Sequence, residues 1–175
     1  MTDVAPETKT GQISAWHWGE YCTDEVTVSE VVSNLRRHLT GMRAVCSSWD
    51  SGMLKPAGPE WSGWFTECGH AVSPPIDDHL ATSWPQSGCG YDEWYFFGVV
   101  PTLSTVHSIC NWTGLSIGEC GPLARVPNGF DLAAQLERLN PELVVGDGDR
   151  VFVIAKDKQV VSEFLESCRC RRTTR

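Results

Sequence analysis

The sequence has no long hydrophobic run. Its longest apolar stretch, around residues 96–101, falls far short of the ~20 residues that a bilayer-crossing helix needs. Bases are also scarce, with 14 Lys and Arg against 22 Asp and Glu, a formal net charge of −8. Four of those 14 are arginines within residues 169–175, which leaves ten bases against all 22 acids over residues 1–168. A body so charged repels phosphate backbones, which argues against nucleic-acid binding and favours encounter with a basic partner. The first ten residues lack the apolar stretch of a secretory signal, so a cytoplasmic location is expected. No glycine-rich phosphate loop with its lysine is present.

What is present suffices for one core. The chain has 175 residues, of which 41% are hydrophobic, and it holds eight tryptophans and eight cysteines. An even cysteine count invites a disulfide framework, but a chain of this length in a reducing compartment needs none, so thiols are expected.

Hydrophobic spacing sketches the order of elements. Residues 1–11 read as a flexible leader, residues 12–168 as a single domain and residues 169–175 as a basic tail. Residues 12–21 alternate as a first strand. Thr27 and Glu30 form a capping-box pair, and Val28, Val31, Val32, Leu35 and Leu39 follow at helical spacing until Gly41. Strands are expected over residues 42–49, 61–68 and 91–100, with Pro101 ending the last. Residues 69–90 are rich in turn residues, with Ile76, Leu80 and Trp84 able to dock on the core. Residues 104–117 read as extended. Asp131 can cap a helix that buries Leu132, Leu136 and Leu139. Strands at 142–145 and 150–155 flank Gly146-Asp147-Gly148-Asp149, and a final helix spans 159–168. The sum is an α+β single domain, a mainly antiparallel β-sheet packed with two or three α-helices.

Few residues gather into a recognisable chemistry. Cys68, His70 and Cys89 make the best soft-ligand group, but no second pair stands at the spacing a zinc site uses. Asp77-Asp78-His79 could serve a small Cys/His-dependent hydrolase or zinc-binding protein, which is the alternative reading; three polar loop residues are also ordinary. No cofactor, catalytic residue or membrane contact is expected. Tyr91-Asp92-Glu93-Trp94-Tyr95-Phe96-Phe97 stands out instead. As a strand it sets large rings on both faces beside two carboxylates, whereas an antiparallel sheet often buries only one face. Tyr and Trp concentrate binding energy, and acids complement a basic ligand. Asp92, Glu93, Trp94 and Tyr95 are therefore the expected contacts, with Asp77 and Asp78 as an outlying acidic patch.

The same segment resembles a D-E-W-Y-x-F strand of small bacterial immunity-type proteins, encoded beside polymorphic or contact-dependent toxins. Residues 135–142 (Gln-Leu-Glu-Arg-Leu-Asn-Pro-Glu), Gly146-Asp147-Gly148-Asp149-Arg150 and Val151-Phe152-Val153-Ile154-Ala155 resemble the helix, turn and closing strand of those proteins. Cys110-Asn111-Trp112-Thr113-Gly114-Leu115 is similar to their short Asn-aromatic-Gly segment. The likeness runs from residue 91 to about residue 166. It implies a non-catalytic inhibitor that binds and blocks a cognate toxin or effector protein, and it brings no catalytic residue; the acidic charge adds the expectation that this partner is basic.

Overall fold

The computed structural model describes residues 8–21, 26–48, 72–84, 92–110, 132–146 and 151–170. The described residues form an α+β single domain around one six-stranded antiparallel sheet. The chain opens with a hairpin of β1 (Thr8–Ile13) and β2 (Trp16–Tyr21), closed by the two residues Ser14 and Ala15. Ser14 takes a left-handed φ of 53°, which a two-residue hairpin turn requires and which turns the chain sharply enough for Ile13 to face Trp16. Residues 8–11, expected in the leader, thus belong to the sheet.

Helix α1 (Val28–Asn34) starts where the capping box predicts. Thr27 Oγ1 accepts from the Glu30 N–H, and the Thr27 N–H donates to the Glu30 carboxylate at 2.9 Å. The predicted helix breaks at Leu35, which has ψ near 7°, and resumes as α2 (Arg36–Leu39). Gly41, at φ +81°, ends it and leads into β3 (Arg43–Ser48). Helix α3 (Asp78–Thr82) lies within the expected loop, capped by Asp77, whose carboxylate accepts from the Leu80 N–H at 2.7 Å. Around it Ile76 and Trp84 are buried, and Leu80 packs against the core, as expected.

Strand β4 (Asp92–Phe97) ends at Gly98, short of Pro101, so Val99 and Val100 stand exposed. The extended stretch expected from residue 104 is instead helix α4 (Leu103–Cys110). β-branched Thr105, Val106 and Ile109 suggest a strand, but Thr102 Oγ1 accepts from the Thr105 N–H, and Val106 and Ile109 are buried three residues apart. A cap plus a buried helical face outweighs the small loss of rotamer freedom in those side chains. Helix α5 (Leu132–Leu139), strands β5 (Leu143–Gly146) and β6 (Val151–Ala155) and helix α6 (Lys158–Cys170) follow close to expectation. Arg169 and Cys170, expected in the tail, close α6. The expected strand at 61–68 lies outside the described residues.

The strand order is β1-β2-β6-β5-β4-β3. Both faces of the sheet are covered over its central strands. One core gathers Val31, Leu35, Trp94, Phe96, Val153, Phe164 and their neighbours under α1, α2, α3 and α6. The other gathers Trp16, Trp18, Val45, Tyr95, Phe97, Phe152 and Ile154 with α4 and α5. Strands β5 and β6 are accordingly apolar at successive positions rather than alternating, as doubly covered strands must be. Trp84 bridges the first core to β4: its ring lies 5.1 Å from Trp94, edge to face, and 5.5 Å from Phe96. No helix among the described residues is long and apolar enough to cross a membrane.

Candidate functional site

β4 is an interior strand, hydrogen-bonded to β3 on one side and β5 on the other. Its expected role as an open aromatic ridge is corrected by that position. Trp94 is 0% exposed, Tyr95 1% and Glu93 2%. Trp94 and Phe96 point into one core, Tyr95 and Phe97 into the other. The physical reason is the second helical layer: with α4 and α5 over the far face, neither side of residues 93–97 meets solvent. Glu93, Trp94 and Tyr95 therefore carry no docking surface. The backbone of Asp92 opens β4 opposite Ser48.

The Glu93 carboxylate expected on the surface is instead buried, in a row that holds a second buried carboxylate. Reading across the sheet by register, Lys9, Glu20, Phe152, Gly146, Glu93 and Ser47 lie side by side. Glu20, Phe152 and Glu93 lie on the face that carries α4 and α5. Glu20 is 0% exposed. Glu93 Oε2 accepts from the Tyr95 hydroxyl at 3.0 Å, a bond between residues two apart on one strand face. Burial, then the Glu93 charge and this hydrogen bond, push the Tyr95 phenol well above its ordinary range. Tyr95 therefore stays a neutral donor. Gly146 lets the neighbouring ring lie flat: a Cβ there would stand 2.5 Å from Phe152 Cε1 and 3.1 Å from Glu93 Cγ.

Glu20 lies outside the residues expected to carry the site. The signal was there, because Trp16, Trp18 and Glu20 fall at alternate positions of one strand, and both tryptophans are core residues. Burying two carboxylates is costly unless they are hydrogen-bonded, so their position in one row marks this end of the sheet as electrostatically specialised.

That end is where β2, β3 and β5 finish and where β1, β4 and β6 begin. In sequence, Asp24 and Glu25 follow β2, Asp50 follows β3, and Asp147 and Asp149 lie between β5 and β6. Asp92 is the first residue of β4. Asp77 and Asp78 are exposed but sit elsewhere. Ile76 exchanges backbone hydrogen bonds with Gly41 and Met42, just ahead of β3, so α3 begins at the opposite end of the sheet. A strand the length of β4 separates the two ends by about 17 Å. The expected contacts thus do not form one patch, and Asp77 is occupied as a helix cap.

Cys68, His70 and Cys89, the metal alternative, lie outside the described residues. Among the described residues no group of three or more His, Cys, Asp or Glu is arranged to hold a metal ion. Asp77, Asp78 and His79 are all exposed at the start of α3, and Cys46 and Cys168 are buried in the first core. Comparison with protein-family models, with curated proteins and with solved structures finds no match to this chain.

Proposed function

We propose that the chain is a non-catalytic, acidic binding protein of the immunity type, which blocks a basic toxin or effector with the end of the sheet at which β4 begins. The observation that carries this reading is the pair of carboxylates set one row in from that end. Glu20 and Glu93 lie buried in that row and Asp92 opens β4 at the end itself; in sequence alone, Asp24 and Glu25 come after β2, Asp50 after β3, and Asp147 and Asp149 between β5 and β6. A one-signed field around a protein speeds capture of an oppositely charged partner. The excess of acids over bases along residues 1–168 and the resemblance of residues 91–166 to immunity-type strands support the same reading. Asp92 replaces the wider set of β4 residues as the proposed contact from that strand, and Asp77 and Asp78 contribute only long-range charge.

The test uses the product of the gene beside this chain's own as the binding probe. The triple variant Asp92→Asn, Asp147→Asn, Asp149→Asn should slow association several-fold and flatten its dependence on salt, while Asp78→Asn leaves both nearly unchanged. Absence of binding, or equal rates and salt slopes for the triple variant and the unmodified chain, refutes the proposal.

A further inference from the structure

The two edges of the sheet are treated differently. Along β3 the edge is closed by the chain itself: Val45 bridges Val72, the Ser73 N–H donates to the Ala44 carbonyl at 2.8 Å, and the Ala44 N–H donates to Ser73 Oγ at 2.7 Å. Along β1 no described residue pairs with the outer side, and Thr10 and Gln12 are exposed. The direction of its backbone groups follows from the hairpin. Ile13 and Trp16 close a two-residue turn and form a hydrogen-bonded pair, so Gly11 with Trp18 and Lys9 with Glu20 do the same. The N–H and C=O groups of Thr8, Thr10 and Gln12 therefore point away from β2. An edge of this kind is a template for another strand.

We propose that β1 pairs with β1 of a second copy of this chain, antiparallel about a two-fold axis at Thr10. The edge is complementary to itself in this register. Thr10 faces Thr10 of the second copy, and Thr8 faces Gln12, so each outward-pointing backbone group meets a partner, about six hydrogen bonds in all. The facing side chains are uncharged hydroxyls and amides that hydrogen-bond across strands. Lys9, the single charged residue of the strand, falls opposite Gly11 rather than opposite itself. The Trp18 ring lies against that glycine, its Nε1 2.5 Å from where a Cβ would be, so Lys9 is set opposite an uncharged position and not a like charge. The six-stranded sheets join into one continuous sheet across the axis.

Sedimentation equilibrium and light scattering of the full chain over a concentration series test this. The expected result is a mass rising from one 19.4 kDa chain to two. Thr10→Pro removes the outward donor and spares the bonds to β2, and Thr10→Lys sets two like charges face to face; each should weaken the dimer at least about ten-fold while the far-ultraviolet dichroism is unchanged. Under oxidation Thr10→Cys should form a dimer linked through residue 10, because facing residues of a hydrogen-bonded pair stand ~5.5 Å apart, within disulfide range. Gln12→Cys, facing Thr8, should not exceed the unmodified chain. A one-chain mass at every concentration, a dimer indifferent to Thr10→Lys, or equal crosslinking at positions 10 and 12 overturns the proposal.

Discussion

Removing one oxygen from the interior should cost more than most surface substitutions. Tyr95→Phe keeps the ring that packs in the second core and deletes the hydroxyl that donates to Glu93 at 3.0 Å. A hydrogen bond to a charged acceptor contributes ~1.5–3 kcal/mol, and at this depth water does not replace the lost donor. The expected loss is about 2 kcal/mol, read as a lower urea midpoint at unchanged slope. Glu93→Gln keeps an acceptor in place, and a double-mutant cycle between the two positions should return a coupling of about 1–2 kcal/mol. A second signature comes from pH. Burial and Glu93 raise the folded-state pKa of Tyr95, so above about pH 10 the unfolded chain releases a proton that the folded chain keeps. Stability that is complete below pH 10 is therefore lost as pH rises towards the folded value, by about 1.4 kcal/mol per pH unit from this group. Tyr95→Phe should lack that component of the alkaline limb. A loss under about 0.5 kcal/mol with an unaltered alkaline slope would refute the coupled, buried pair.

Other perturbations address the surrounding framework. Gly146→Ala would press a methyl into the Phe152 ring, and overpacking of this kind costs about 1–3 kcal/mol; adding Phe152→Leu should recover part of it in chemical denaturation. Thr27→Ala deletes one arm of the capping box and should lower stability by about 1 kcal/mol, measured the same way. The His38 hydrogen bond at 2.7 Å, aided by His38 charge, Gln159 and Arg37, holds the Glu163 carboxyl below its usual range. Its contribution is present above the unfolded carboxyl pKa and is lost as pH falls through the folded value, so Glu163→Gln should flatten the acid side of a melting-temperature profile.

Local chemistry determined much of this protein by sequence alone. The Thr27–Glu30 box, Gly41 and the spacing of Leu132, Leu136 and Leu139 each act within a few residues, where backbone hydrogen bonding and side-chain periodicity are decided. The antiparallel α+β class followed from the order of those elements. The break at Leu35 and helix α4 were less legible, because the choice between helix and strand for β-branched residues turns on the face that packing buries. What covers each face of the sheet is a long-range property, and only the tertiary structure decided it. Residues 93–97 would have formed an open ridge beneath one helical layer and form sealed interior beneath two. The neighbourhood of Glu20 and Glu93 likewise depends on β2 joining β6 and on β5 joining β4, a register that brings residues more than seventy positions apart into one row. Pairing of distant strands is settled by the burial of whole faces, and no single segment holds that information.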